Sequence, residues 1–179
     1  LLILIFIVEQ AGVVGQPLRG TTSHFNVKTA FDGGVYAMMG LLIVLNSVLV
    51  VAITYKYFRA KIELPSAVLW SIRLGLFIFL VGSVQGGYMS AQIGHTVGAT
   101  DGGPGLPLTN WSTTAGDLRV ALFLGLHAIQ MVPLLGLELE KWKVSQRTAI
   151  VFAAAALYLG FFLAVLVQAL NGRPLIALG

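Results

Sequence analysis

Residues 148–170 read TAIVFAAAALYLGFFLAVLVQAL, a run of 23 residues without one charged side chain. A helix of that length rises about 35 Å, enough to cross a hydrocarbon core of roughly 30 Å. The run is too long for a barrel strand, and polar positions do not alternate with apolar ones. In lipid, only a helix satisfies all its backbone groups within one segment. Four further segments share this character, at about 1–16, 33–58, 66–93 and 117–137. The chain opens inside an apolar stretch, LLILIFIVEQ, which reads as the remnant of a first span. It lacks the basic n-region and clear cleavage site of a signal peptide.

Composition points the same way. Of 179 residues, 57% are hydrophobic and 10% charged, against about 25% charged in soluble domains. The mean hydropathy is +0.88. The expected fold is all-α: a polytopic bundle of about five spans forming a single membrane domain over 1–179. The chain has no cysteine, which excludes disulfides, thiolate zinc sites, iron–sulfur clusters and haem linked through C-x-x-C-H. Nothing resembles a nucleic-acid surface.

Basic residues set the expected orientation. Lys56, Arg59, Lys61 and Arg73 cluster around the link between the second and third spans, and Lys141, Lys143 and Arg147 lie between the fourth and fifth. These links are expected to face the cytoplasm, with the C-terminus extracytoplasmic. Trp70 and Trp142 then fall near the inner boundary and Trp111 near the outer one.

The two outer loops are unusual. The loop at 17–32 reads PLRGTTSHFNVKTAFD. The loop at 94–116, GHTVGATDGGPGLPLTNWSTTAG, holds six Gly and two Pro in 23 residues, which rules out a helix and favours tight turns. It is expected to be an ordered lid over the helix ends. Thr114 and Asp117 fit the spacing of a capping box at the start of the fourth helix.

Ionisable and polar side chains inside a span are costly and mark candidate sites. His127 lies ten residues after Asp117, about 15 Å along a helix, and Gln130 shares its face. His127 reads either as a haem, metal or proton-relay ligand or as a hydrogen bonder between helices. Glu9 reads as a proton carrier or ligand-site acid, or as a rim carboxylate paired with Arg19 or Arg119. His24, His95 and Asp101 are weak metal candidates, each otherwise a loop hydrogen bonder; no H-x-x-x-H or H-E-x-x-H spacing supports them. Arg119 reads as an anion or carboxylate clamp, as an anchor to lipid headgroups, or as an ion-pair partner of Asp117, Asp101 or Glu9. Gln85, beside Gly86 and Gly87, reads as a packing residue needing a partner, as do the pairs Asn46–Ser47 and Gln168–Asn171. Pro133 is a candidate kink. Glu9, His24, Gln85, His95, Asp101, Asp117, Arg119 and His127 all fall in the outer half, so a polar site open to the extracytoplasmic side is the expectation.

Five segments carry a resemblance: S-H-F-N at 23–26, H-T-V-G at 95–98, D-G-G-P-G-L-P at 101–107, G-D-L-R-V at 116–120 and G-L-H-A-x-Q at 125–130. Together they resemble an uncharacterised family of bacterial polytopic membrane proteins. The resemblance covers most of the chain. It implies a multi-pass protein of the bacterial inner membrane and no particular activity. It also implies a histidine in relatives at the position of Leu122, which counts against a two-histidine site on the fourth helix here.

Four functions fit these residues unequally. The leading expectation is an accessory or structural subunit of a larger membrane complex, with other membrane subunits or further copies of itself as partners. Next stands an electron-transfer subunit binding haem b or a pigment through His127, with Gln130 and His95 as further cofactor candidates. His95 sits about 10 Å or more above His127 by helix rise, which strains that pairing. A small-molecule or proton carrier is weakened by the lack of an internal repeat. A membrane hydrolase comes last, for want of a nucleophile or water-activating motif; whether the chain is an enzyme stays open.

Overall fold

The computed structural model describes residues 1–178 and is all-helical apart from one small ladder. The order is α1 (Leu2–Leu18), α2 (Ala30–Arg59), α3 (Ser66–Ala91), β1 (Thr96–Val97), β2 (Gly116–Asp117), α4 (Leu118–Lys141) and α5 (Arg147–Leu170). Helices α2 to α5 are long and apolar enough to cross a membrane, whereas α1, at 17 residues, is a shorter apolar helix. The chain divides into two compact units, Leu1–Tyr55 and the remainder from Lys56 onward.

In the first unit, α1 approaches α2 where Gly12 faces Met39: a Cβ on Gly12 would lie 3.0 Å from the Met39 sulfur. The connection between them is tied by side chains. Buried Asn26 donates to Thr21 Oγ1 at 2.6 Å and accepts from the Lys28 amide at 3.2 Å. Helix α2 begins three residues earlier than its apolar run suggests, which moves Asp32 from the loop into the first helical turn. Thr29 caps that turn: its Oγ1 accepts from the Asp32 amide at 3.1 Å and donates to Asp32 Oδ2 at 2.7 Å. Beyond its first turns α2 is mostly apolar up to its basic end, and the hydroxyls of Ser47 and Thr54 donate to the carbonyls of Ile43 and Val50 four residues earlier.

The second unit is built on α3, α4 and α5. Along α3 the buried positions include Ser71, Gly75, Ile78, Gly82 and Gln85; along α4 they include Ala121, Gly125, Ala128, Val132 and Gly136. These are mostly small residues at helical spacing. Without a hydrophobic driving force in lipid, close backbone approach and dispersion hold helices together. Gly82 and Gly125 meet backbone to backbone: a Cβ on Gly82 would lie 2.7 Å from the Gly125 Cα. A Cβ on Gly75 would lie 2.8 Å from the Ala128 carbonyl oxygen and 3.0 Å from the Pro133 ring. Helix α4 runs unbroken through Pro133, whose ring is thus part of the α3 contact. Helix α5 adds Phe162, fully buried with Val120, Ala121 and Val165, and Tyr158, which donates to the Leu124 carbonyl at 2.7 Å.

At the end of this unit away from β1 and β2, Arg73 lies over Trp70 (4.9 Å) and Phe58 (5.6 Å) and donates to the Tyr57 carbonyl. Helix α4 continues to Lys141, so Glu138 and Glu140 belong to its last turns; Glu140 pairs with Arg147 at 2.6 Å across the short connection to α5.

The capping box expected at Thr114–Asp117 does not form. Asp117 is itself the N-cap of α4, with extended φ −122° and ψ 107°, and it accepts from the Arg119 amide at 3.0 Å. The reason is the ladder: Asp117 pairs with Thr96 across β1 and β2, so it cannot sit in a first helical turn. The cap spacing that does form is Thr29–Asp32, in the other loop.

Candidate functional site

The Gly/Pro-rich loop is an ordered lid. Its core is a hairpin in which Leu106 donates to the Trp111 carbonyl, Asn110 donates to the Leu106 carbonyl (both 2.8 Å), and Gly105 bridges Ser112. Leu108 and Asn110 turn the tip with positive φ, 69° and 52°. The ladder of β1 and β2 ties the lid to α4, and the Leu118 amide donates to the His95 carbonyl at 2.9 Å.

Four of the residues singled out in the sequence meet under this lid. The Asp117 carboxylate is fully buried. It accepts from the Ser112 amide (2.8 Å), the Arg119 amide (3.0 Å), Arg119 Nε (3.0 Å) and Arg119 Nη2 (2.6 Å). Arg119 Nη2 also donates to the Asn110 carbonyl, so one guanidinium joins helix cap to hairpin. Asp101 accepts from the Thr96 amide at 2.8 Å and the His95 amide at 3.2 Å, closing the turn after β1. His95 Nδ1 lies 3.5 Å from Asp101 and 3.8 Å from Asp117.

Charge balance follows from this geometry. Burial pushes the Asp117 carboxyl up, but the Arg119 hydrogen bonds, the Ser112 amide and the guanidinium charge outweigh it and hold it below the usual carboxylate range. Asp101 behaves alike: burial opposes, and the hydrogen bonds at Thr96 and His95 prevail. For His95, burial and then the Arg119 charge push its ring below the ordinary histidine value, against the pull of Asp101 and Asp117. His95 is therefore neutral at pH 7, and the lid rests on the Asp117–Arg119 pair.

A small cleft lies beside this cluster, lined by His95, Thr96, Asn110, Ser112, Thr114 and Arg119 among others, with about 20 Å³ inside. That holds a water or two and no organic cofactor. Among the described residues no group of three or more His, Asp or Glu side chains is placed to hold a metal ion. The third metal candidate, His24, belongs to the first unit, where its Nδ1 meets Ser23 Oγ at 2.9 Å and its ring tilts against Phe25.

Glu9 is half-buried on α1, and neither arginine weighed as its partner is left for it. Arg19 pairs with the buried Asp32 at 3.0 Å, which also accepts from Gln16 at 3.0 Å, and Arg119 pairs with Asp117. Gln85 finds its partner in the backbone: its Nε2 donates to the Leu118 carbonyl at 3.0 Å and contacts the Met89 sulfur at 3.2 Å, while its buried Oε1 has no partner among the described residues. A half-satisfied buried amide contributes little net stability. Replacing it by a similar apolar shape, Gln85→Leu, is expected to change unfolding stability in detergent by less than about 1 kcal/mol; a loss of several would give the amide a larger role.

His127 and Gln130 lie elsewhere. They fall on the side of α4 opposite the small-residue stripe, with Phe123 and Leu134. His127 Nδ1 lies 2.7 Å from the Phe123 carbonyl, and the ring stacks on Phe123 at 3.9 Å. A carbonyl only accepts, so the ring donates from Nδ1, which leaves Nε2 as the nitrogen not engaged by the Phe123 carbonyl. Phe123 in turn meets Trp111 of the lid hairpin edge-on at 5.7 Å. Gln130 is exposed and has no hydrogen-bond partner among the described residues.

Sequence reasoning missed Gln16 and Asp32 and the lid contacts of Asn110 and Ser112. The Thr29–Asp32 spacing was a usable signal for Asp32; the others are joined to their partners only by the fold. No family model, no curated protein and no solved structure matches this chain. The class that fold and site define is a multi-pass helical membrane protein with a structured lid.

Proposed function

We propose that this chain is an accessory integral membrane subunit of a larger bacterial membrane complex, docking through the Phe123–His127–Gln130–Leu134 face of α4. The observation that carries the reading is Gln130: an exposed amide 12 residues beyond Leu118, about 18 Å along the helix. Facing acyl chains there, its donors and acceptor would go unmet at a cost of kilocalories. A neighbouring helix offering a hydroxyl or carbonyl relieves that cost. The basic residues around 56–73 and 141–147 support a cytoplasmic position for those links, which puts the lid and C-terminus on the extracytoplasmic side.

A photo-cross-linking residue at Gln130, in native membranes, tests this. A single discrete protein adduct from position 130, absent from the exposed Leu157 of α5, is expected. Lipid adducts alone at both positions would sink the docking reading.

A second reading uses the same face. His127 has its Nδ1 held by the Phe123 carbonyl, the arrangement that orients a neutral histidine to ligate through Nε2. In that reading the partner supplies the rest of a haem b or pigment site. A visible spectrum of the intact complex, oxidised and dithionite-reduced, decides it: a haem or pigment band lost in His127→Ala supports ligation, and an unchanged band assigns the cofactor elsewhere.

A further inference from the structure

At the lid end of the second unit, α5 finishes at Leu170 with Asn171 as its cap, and Gly172 turns the chain with φ 71° into Arg173. A surface groove of about 630 Å³ runs along this end of the helix, lined by Leu163, Ala164, Val167, Gln168, Asn171 and Arg173. Its chemistry is graded. Leu163, Ala164 and Val167 make the deeper part apolar; Ala164 lies seven residues, about 10 Å of rise, below Asn171. One turn deeper, Gly160 has open space where a Cβ would stand. Small residues thus leave a shallow channel along the helix surface.

The rim is polar, and two of its three side-chain donor groups are already engaged. Gln168 Nε2 donates to the Pro174 carbonyl at 2.6 Å and Asn171 Nδ2 to the Val167 carbonyl at 2.7 Å. The Arg173 side chain is exposed, and its guanidinium has no partner among the described residues. A guanidinium with no partner among the described residues, above an apolar channel at the end of a helix long enough to span the membrane, matches a molecule with a phosphate at the interface and a chain below it.

We propose that this groove binds one phospholipid, its phosphate on Arg173 and one acyl chain laid over Ala164 toward Gly160. A guanidinium engages two phosphate oxygens at once, which a lysine does not, and the channel receives a flexible chain without any helix moving. The proposal rests on α5 spanning the bilayer and is independent of the α4 docking face, whose cross-linking readout it does not share.

The test is lipid binding to the purified full chain in detergent, read as bound lipid per chain by native mass spectrometry. The probes are phosphatidylglycerol, diacylglycerol of the same acyl chains, and inorganic phosphate. The expected result is one phosphatidylglycerol retained in preference to diacylglycerol. Arg173→Gln should weaken it about fivefold, and Ala164→Phe, which fills the channel, should weaken it at least as much. Ala164→Leu serves the same end should the larger ring disturb α5. Lys28→Gln, at an exposed cation of the first unit, should leave binding unchanged. Equal retention of diacylglycerol would reduce the groove to ordinary lipid contact and overturn the proposal. So would inorganic phosphate displacing the lipid at comparable concentration, or binding that survives both the Arg173 and the Ala164 changes.

Discussion

Gly82→Ala is expected to cost about 2–3 kcal/mol of unfolding stability, and Gly82→Leu to leave no folded material in detergent. The added Cβ would stand 2.7 Å from the Gly125 Cα and 2.9 Å from its carbonyl carbon. Both are backbone atoms in the middle of a packed helix, so no rotamer change makes room. The α3 and α4 backbones must separate, and every small-residue contact along the interface loosens with them. The dispersion energy lost is collective, because each atom pair contributes little alone. The contrast that makes the argument specific is Gly160, on the open side of α5, where a Cβ meets nothing within 4 Å. Gly160→Ala is expected to be neutral or to gain up to about 1 kcal/mol from helix propensity. Titration with SDS in mixed micelles measures both. Equal effects at the two glycines would show that backbone approach between α3 and α4 is not what holds the bundle.

This pair also shows what could be read before the fold was known. The run at 148–170 declares α5 by length and composition alone. It does not say which side faces a neighbour, because a helix apolar on all sides has no polar face to mark the outside. On α4 a better signal was present. Ala121, Gly125, Ala128 and Gly136 recur at helical spacing and mark the buried side. Phe123, His127 and Gln130 fall between them, on the opposite side. Depth along the helix drew attention to His127, but the small-residue stripe is what places it at the surface. The expected ordered lid is present because its glycines and prolines encode tight turns locally. The pairing of Asp117 with Arg119, one of the alternatives weighed for that arginine, lies two residues away and was legible; the ties of Asp117 to Thr96 and Ser112 were not, since they depend on the loop folding back onto the start of α4. The contacts of Asp32 with Gln16 and Arg19 were hidden for the same reason, those partners lying on the far side of a loop. Sequence spacing reports neighbours within a helix; it does not report contacts that a loop creates by closing.

Asp117→Ala is expected to release the lid and to cost about 3 kcal/mol. The change strips α4 of its N-cap, worth about 1 kcal/mol alone. It also leaves the Ser112 amide and the Arg119 guanidinium without the acceptor they share. The hairpin then loses its tie to the helix, because Arg119 no longer holds the Asn110 carbonyl and the helix cap together. Hydrogen exchange at Thr96, Ser112 and Arg119, corrected for intrinsic rate, should rise at least tenfold, while exchange in the middle of α3 stays slow. Acid should reach the same state in two stages. His95 is held below its ordinary value of 6.5 by burial and the Arg119 charge. Between that ordinary value and its lowered one, the unfolded chain binds more protons than the folded one, so stability falls as pH drops below about 6.5. Asp101 and Asp117 are held below 3.8, and their contribution, complete above that value, is lost as pH falls through their lowered values. His95→Gln should abolish the first stage and leave the second. Lid exchange that stays flat from pH 7 to pH 4 would mean that His95 is not neutralised by its surroundings, and that the carboxylates carry the whole acid response.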